Sequence, residues 1–211
     1  MELKGPLIRT GHPPHFRTQK ENRLTLSRIL CKVALFILIF LFSLHLPNFV
    51  PGLDQKEQTI KEILEVLERQ PTGLANVTKE ELAEVIYEEA TRHNHDPKLI
   101  LALIAIESSF LNWSVSEQGA KGLMQIMPYV AESIARELDI EWSGDRTLFN
   151  PFLNIRMGIH YLSRLILDFK DLGTALTAYN YGPTYVKGLI ERKERVPVNY
   201  YRRILTVYQT L

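Results

Sequence analysis

The stretch that most constrains the fold is an apolar run with one carboxylate at its end. Residues 99–106 are apolar throughout and read as a helix, and Glu107 follows them directly. A glutamate in the last turn of a helix faces the negative end of the helix dipole, which costs roughly 0.3–1 kcal/mol. Apolar neighbours raise the pKa of such a carboxyl further by desolvation. Both effects favour the protonated form that a general acid needs, with an exposed terminal glutamate as the alternative interpretation.

Helix signals recur along the rest of the chain. Capping-box patterns start at Asp54 and Thr78, and Asp96 and Asn150 each stand before a proline, which is typical of a helix start. Residues 151–168 are apolar around much of the helix circumference, which predicts a central, buried helix. No convincing alternation of apolar and polar residues indicates a strand, so the predicted fold class is mainly α.

The N-terminal region differs from the rest in charge and hydropathy. Residues 1–32 carry seven basic and two acidic side chains, whereas the chain from Val77 onward carries fifteen basic and seventeen acidic ones. An apolar stretch follows the basic segment and reaches 18 residues when it is counted over 33–50, the low end of what crosses a bilayer. Positive charge before it predicts a cytoplasmic N-terminus.

Three interpretations of residues 33–50 can be compared. A cleaved signal peptide would need small residues at a cleavage site, and no A-x-A pattern follows. A buried helix of a soluble protein fits the charged flanks poorly. We therefore expect an uncleaved, single-pass signal anchor in a bacterial inner membrane, with the C-terminal part exported to the periplasm.

The part after the anchor divides into a linker helix at 51–76 and a domain at 77–211. Ile60, Ile63, Leu64 and Leu67 form one apolar stripe of the linker helix, which docks either on its own domain or on a partner from the envelope machinery. The near-neutral charge of the domain excludes a nucleic-acid-binding face.

Cofactor and metal sites are not predicted. The single cysteine, Cys31, allows neither a disulfide within the chain nor a cysteine metal site. His93, His95 and Asp96 suggest metal ligands, but they sit at a helix end without a fourth ligand, so we expect no metal.

Four sequence blocks at compatible spacing carry a family resemblance. They are the Glu107-Ser108 pair, the pattern S-x-x-G-A-x-G-L-M-Q over residues 116–125, the triplet Ala178-Tyr179-Asn180, and Tyr200. In this order they resemble the lytic transglycosylases of the soluble (Slt) type, which share the goose-type lysozyme fold. The resemblance covers residues 82–208 and implies a lysozyme-like helical domain that acts on peptidoglycan.

The resemblance also implies a mechanism with one carboxylate. Glu107 would protonate the β-1,4 bond between N-acetylmuramic acid and N-acetylglucosamine, then take a proton from the C6 hydroxyl, which closes a 1,6-anhydro ring. Ser116 would bind the acetamido group, Gln125 and Met127 would line sugar subsites, and Tyr179 would orient Glu107. The residues implied in substrate binding are Ser108, Ser116, Gly122, Met124, Gln125, Met127, Tyr179, Asn180 and Tyr200.

The match departs from the family pattern in two places, and two alternative functions are considered beside it. Leu111 stands where the family commonly has asparagine, and the C-terminal E-T-x-x-Y pattern is reduced to Asn199 and Tyr200. These departures affect the shape of the glycan groove and leave Glu107 untouched. The alternatives are a goose-type lysozyme-like hydrolase, and a non-catalytic peptidoglycan-binding component of the envelope. For Met124, core packing is the alternative to a role in binding.

Overall fold

The structure, a computed structural model, describes residues 30–38 and 51–211. The chain divides into two compact units, Met1–Pro51 and Gly52–Leu211. In the first unit residues 30–38 are helical with exposed side chains, while residues 1–29 and 39–50 of the predicted basic segment and anchor lie outside the described part. Among the described residues, no helix combines the length and the apolar character that crossing a membrane requires.

The second unit is built from helices, as predicted. Residues 51–211 contain no β-strand and only isolated bridges that join Lys121 to Val115 and to Ile126. The helices are α1 Pro51–Glu68, α2 Lys79–Arg92, α3 Pro97–Ser108, α4 Pro128–Glu137, α5 Asp145–Phe149, α6 Pro151–Phe169, α7 Leu172–Tyr181, α8 Pro183–Glu191 and α9 Asn199–Thr210. The short helix α5 has no counterpart in the sequence prediction.

Local capping signals place most of the helix starts. Thr78 forms a complete capping box with Glu81, Asp96 accepts a hydrogen bond from the backbone N–H of Lys98, and Asn150 caps the start of α6. The box predicted at Asp54 is wrong, because α1 begins at Pro51 and Asp54 lies in its first turn. A carboxylate in the first turn still favours the helix through its dipole.

Two helices form the centre of the unit. Residues 99–104 of α3 are all buried, because a helix that is apolar on every side has no face to give to water. Helix α6 packs against α2, α4, α5 and α7, and α9 packs against α3 and α7. This arrangement confirms the central position predicted for residues 151–168 and places α3 in contact with α9.

Helix α1 docks on its own domain. Ile63 and Leu67 are 2% and 0% exposed and belong to the same core as Leu82 and Ile100. Of the two alternatives for the linker helix, the structure therefore shows docking on the domain. The boundary between residues 76 and 77 stays a prediction.

Asn154 of α6 fixes the glycine-containing loop that precedes α4. Its Nδ2 donates to the carbonyls of Lys121 (3.0 Å) and Leu148 (2.9 Å), and its Oδ1 accepts from the N–H of Met124 (2.8 Å). The side chain is fully buried. Gly122 has φ +82°, and a Cβ there would lie 2.2 Å from the Nδ2 of Asn154. The loop thus needs glycine at 122 because Asn154 occupies the adjacent space.

We expect the Asn154→Ala variant to lower the free energy of unfolding by about 3 kcal/mol, because buried peptide groups without a partner cost roughly 1–3 kcal/mol each. Chemical denaturation of the full chain measures this change. Asn180→Ala is the matched control, since Asn180 is exposed, and should change stability by less than about 0.5 kcal/mol. Equal stability of the two variants would contradict the role given to Asn154.

Candidate active site

Glu107 lies in the last turn of α3, where the chain turns sharply. Ser109 and Phe110 both adopt positive φ, 51° and 64°. For residues other than glycine this region is uncommon, and for a bulky residue it costs of order 1–3 kcal/mol. Phe110 is only 3% exposed, so packing of its ring offsets that cost. The turn ends the helix at Ser108, one residue after Glu107, and leaves the carboxyl of Glu107 in the last turn.

Burial gives Glu107 an unusual acidity. It raises the pKa of Glu107 from 4.5 to about 7, although a hydrogen bond from Tyr200 and the charge of Arg203 both act to lower that pKa. A carboxyl with a pKa near 7 is protonated in a large fraction of molecules at neutral pH and ionised in the rest. Such a group can act as acid and as base within one reaction.

Tyr200 is the direct partner of Glu107. Its hydroxyl donates a hydrogen bond to the Oε1 of Glu107, and its side chain is only 4% exposed. Burial and the charge of Glu107 raise the pKa of Tyr200 far above its ordinary value, so the phenol keeps its proton. The sequence analysis placed Tyr200 among substrate-binding residues, whereas the structure places its hydroxyl on the carboxylate.

Tyr179 is affected by the charge of Glu107, but its hydroxyl forms a hydrogen bond with a different residue. Its hydroxyl donates to the carbonyl of Met124 at 2.8 Å. Burial raises the pKa of Tyr179 well above its ordinary value, and the charge of Glu107 raises it further. The expectation that Tyr179 orients Glu107 directly is therefore replaced: Tyr200 makes that contact, and Tyr179 joins α7 to the loop before α4.

The loop of residues 114–126 uses several of its polar groups internally. The Oγ of Ser116 accepts from the N–H of Ala120 at 3.0 Å. The Nε2 of Gln125 donates to the carbonyls of Ser114 (3.0 Å) and Gly122 (2.9 Å). Since both amide hydrogens are used, the Oε1 of Gln125 is the atom that could accept a hydrogen bond from a ligand.

Three residues predicted to bind substrate face the interior instead. Met124 is fully buried and so close to Gly158 that a Cβ there would lie 2.4 Å from its sulfur. Ser108 is 6% exposed, and its hydroxyl donates to the carbonyl of Ile104 at 3.2 Å. Gly122 is adjacent to Asn154, as described above. Core packing is thus the observed role of Met124, and direct ligand contact by its side chain is contradicted.

A groove begins beside the remaining predicted residues. A pocket of about 160 Å³ is lined by Gln125, Met127, Tyr179 and Asn180, together with residues of α4, α6 and the α7–α8 junction. A larger groove of about 730 Å³ continues from it, and the lining residues common to both are Tyr129, Val130, Tyr161, Tyr181 and Gly182. Tyr179 connects the smaller pocket with Glu107, because it lines that pocket and the charge of Glu107 raises its pKa.

Exposed tyrosines line the larger groove, which we call the tyrosine groove. The sequence analysis missed these residues. Tyr129, Tyr181 and Tyr185 are 70%, 45% and 49% exposed, and the rings of Tyr181 and Tyr185 lie 6.0 Å apart. Tyr129 follows Pro128 at the start of α4, and Tyr181 follows the Ala178-Tyr179-Asn180 block directly. This adjacency to the matched blocks was the signal that could have found two of them.

The histidines considered as metal ligands pack on one another. The rings of His93 and His95 stack at 6.4 Å, and His160 meets His93 edge-on at 5.7 Å. Burial lowers the pKa of both His93 and His95. Asp96 caps α3 and accepts from the hydroxyl of Tyr208 at 2.5 Å. Among the residues that the structure describes, no His, Cys, Asp and Glu cluster is arranged to hold a metal ion.

Comparison with known proteins identifies the family. A family model described as transglycosylase SLT domain matches residues 84–200, more than half of the 211 residues. The chain belongs to the transglycosylase SLT domain family. The match includes Glu107, the loop before α4, the tyrosine groove of α4 and α7–α8, and Tyr200. The resemblance drawn from the four sequence blocks is thereby confirmed.

Two relatives of this SLT domain match the chain over part of their own length. A transglycosylase of Enterobacteria phage PRD1 is 33% identical over 99 residues, which are 47% of this chain and 34% of that protein. The membrane-bound lytic murein transglycosylase C of Histophilus somni (strain 2336) is 30% identical over 130 residues, covering 57% and 36%. The chain thus spans about a third of the length of these relatives.

A solved structure supports the fold. The 70 kDa soluble lytic transglycosylase SLT70 of Escherichia coli aligns with a TM-score of 0.51 at 21% identity, over 72% of this chain and 28% of that chain. The likeness confirms the mainly α architecture predicted from the helix signals.

We expect the free energy of unfolding of the wild-type chain to fall, relative to that of Glu107→Gln, as pH rises from about 4.5 to about 7. In this window folded Glu107 holds more protons than unfolded Glu107, so raising the pH favours the unfolded chain. One pKa unit corresponds to about 1.4 kcal/mol, which makes the full difference about 3 kcal/mol.

Urea unfolding over this pH range measures the difference. Glu117→Gln, which changes an exposed glutamate of the loop, serves as the matched control and should follow the wild type. Parallel pH profiles for wild type and Glu107→Gln would contradict a raised pKa at Glu107.

Proposed function

We propose that this chain is a peptidoglycan lytic transglycosylase that cleaves the bond between N-acetylmuramic acid and N-acetylglucosamine and leaves 1,6-anhydro ends. The observation that carries the proposal is a buried carboxyl, Glu107, with a pKa of about 7, whose charge acts on Tyr179 in the wall of the smaller pocket. The names of the relatives, transglycosylase and lytic murein transglycosylase, support the same activity.

In the first step Glu107 acts as a general acid. Its proton passes to the glycosidic oxygen, and the bond between that oxygen and C1 of the muramic acid breaks. The positive charge that develops at C1 is stabilised by the acetamido oxygen of the same sugar. Glycosidases usually supply a second carboxylate for this purpose. In the described part of this chain no second carboxylate is among the factors that shift the pKa of Glu107, which are burial, Tyr200 and Arg203.

In the second step Glu107 acts as a base. The carboxylate takes the proton of the C6 hydroxyl, and the C6 oxygen forms a bond to C1 as the acetamido oxygen leaves it. No water is consumed, and Glu107 returns to its protonated form. The hydrogen bond from Tyr200 holds the carboxyl in place and stabilises its ionised form between the two steps.

The loop of residues 114–126 and the smaller pocket supply the binding groups in this proposal. Ser116 and the Oε1 of Gln125 bind the acetamido and hydroxyl groups of the sugar next to Glu107. Met127 and Asn180 line the adjoining subsite, since both border the smaller pocket. Tyr179 keeps the loop in register through the carbonyl of Met124.

We further propose that residues 33–50 anchor the chain in the bacterial inner membrane and that the domain is exported. The apolar run and the basic segment before it support this placement. The Histophilus somni relative is named as membrane-bound, which agrees with a location in the envelope. Residues 1–32 are then cytoplasmic, and the domain at 77–211 meets peptidoglycan.

The test of the mechanism is the mass of the products. The full chain, incubated with purified peptidoglycan, should release muropeptides that are one water lighter than the products of hydrolysis. Glu107→Gln should lower the rate by at least about 100-fold, because general acid–base catalysis contributes roughly 10²–10⁴-fold. Glu117→Gln, an exposed loop glutamate, is the control and should cleave like the wild type.

Other outcomes favour the two alternatives. Products with reducing ends would identify a lysozyme-like hydrolase, and activity of Glu107→Gln equal to that of the wild type would contradict the assigned role of Glu107. Binding of peptidoglycan without any turnover would identify a non-catalytic envelope component.

The exposed tyrosines predict a preference for long glycan strands. If the larger groove holds sugars beyond the cleaved bond, Tyr129→Ala and Tyr185→Ala should each raise KM for long strands about fivefold, since a contact with an aromatic ring is worth about 1 kcal/mol. Leu167→Ala, which removes an exposed apolar side chain of α6 outside the groove, is the control. Steady-state cleavage of size-fractionated strands measures KM, and unchanged values for both tyrosine variants would exclude sugar binding there.

A further inference from the structure

A second pocket lies apart from the tyrosine groove. It has a volume of about 490 Å³, within the roughly 300–1,000 Å³ typical of small-molecule sites. Trp113 and Phe149 provide its aromatic surface, and Asn76, Asp145 and Arg146 are among its polar lining residues. It shares no lining residue with the tyrosine groove or with the smaller pocket of Gln125 and Tyr179. The resemblance and the comparisons assign nothing to it.

Trp113 is held rigidly although it is exposed. Its indole N–H donates to the carbonyl of Gly73 at 2.7 Å, and its ring lies 5.2 Å from that of Phe149. The residue is nevertheless 56% exposed. Since its polar atom is bonded within the protein, Trp113 presents apolar ring surface to solvent. A side chain fixed in this way loses little conformational freedom when a ligand binds.

The polar residues around the ring favour a sugar over an apolar peptide segment. Asp145 is paired with Lys121 at 2.6 Å, and Arg146 and Asn76 are exposed. Charged and amide groups would stay poorly paired against apolar side chains, which costs free energy. A pyranose ring instead offers a C–H face to the indole and hydroxyl or acetamido groups to the polar rim.

The pocket is within reach of a strand bound at Glu107. Five residues lie between Glu107 and Trp113, so six Cα–Cα steps join them and their Cα atoms are at most about 22 Å apart. The hydroxyl of Ser114, the residue after Trp113, lies 3.5 Å from the carbonyl oxygen of Ser108. The loop that carries Trp113 therefore folds back on the end of α3.

We propose that the pocket of Trp113 and Phe149 binds an N-acetylated amino sugar of the glycan strand, as a second sugar site distinct from the tyrosine groove. The ring stacks on Trp113, and its polar groups meet Arg146 and Asn76. The ligand class rests on the proposed function, because the strand that Glu107 cleaves is the sugar polymer that reaches this pocket.

The two tryptophans of the chain allow a direct test. In the full chain with Glu107→Gln and Trp142→Phe, Trp113 is the sole indole, because the sequence contains two tryptophans. Titration with oligomers of N-acetylglucosamine should change its fluorescence in a saturable manner. The matched control carries Glu107→Gln and Trp113→Phe, so that the partly buried Trp142 reports alone and should not respond.

A kinetic experiment complements the titration. Trp113→Ala in the wild-type background should raise KM for long peptidoglycan strands about fivefold, the effect of losing one aromatic contact, and its thermal unfolding should match that of the wild type. Phe149→Leu, which removes the ring that lies against Trp113, should also raise KM.

The outcomes separate this inference from the proposed function. Absence of a fluorescence response from Trp113, in a protein whose wild type cleaves peptidoglycan, overturns the second sugar site and leaves the transglycosylase proposal standing. A saturable response from Trp113 in a protein whose wild type never cleaves peptidoglycan supports the site and counts against the proposed activity. An equal response from Trp142 in the control overturns the assignment to this pocket.

Discussion

A carboxyl group that is removed from water either accepts a hydrogen bond as a carboxylate or keeps its proton. Glu107 accepts a hydrogen bond from Tyr200 and also has a raised pKa. The apolar sides of α3 put that helix in the core, so its last turn brings Glu107 into a partly buried position. Desolvation favours the protonated form, while the hydroxyl of Tyr200 and the charge of Arg203 favour the ionised one. The balance near neutral pH is what a group with alternating acid and base roles requires.

The surroundings of Glu107 depend on contacts between distant parts of the chain. Asn154 of α6 fixes the backbone at Lys121 and Met124, and the carbonyl of Met124 in turn receives the hydroxyl of Tyr179 from α7. Loss of Asn154 would therefore loosen both the loop that carries Gln125 and the side of the pocket formed by Tyr179. Buried polar groups that are fully paired hold a loop in one conformation, because every alternative leaves some of them without partners.

Local signals were sufficient for most of the helices, with the short α5 and the start of α1 as exceptions, and distant contacts decided the site. The capping residues Thr78, Asp96 and Asn150 act within one turn, so the sequence alone predicted the helices that they start. Tyr200, the hydrogen-bond partner of Glu107, is 93 residues away in the chain. Asn154, which requires glycine at position 122, lies on α6 and not in the loop of Gly122. No periodicity or spacing reports such contacts. Met124 was predicted to bind substrate because it belongs to the S-x-x-G-A-x-G-L-M-Q motif. A sequence motif cannot distinguish a buried side chain from one that lines a groove, and Met124 is buried.

The pairing of Glu107 with Tyr200 also links the acidity of the site to the position of the C-terminal helix. Tyr200 and Arg203 both belong to α9, and both act to lower the pKa of Glu107. Burial acts in the opposite direction and is the larger effect. Helix α9 therefore supplies the groups that keep the ionised form of a buried carboxyl accessible near neutral pH. A substitution that shifts α9 along α3 would change the acidity of Glu107 without altering any residue of α3.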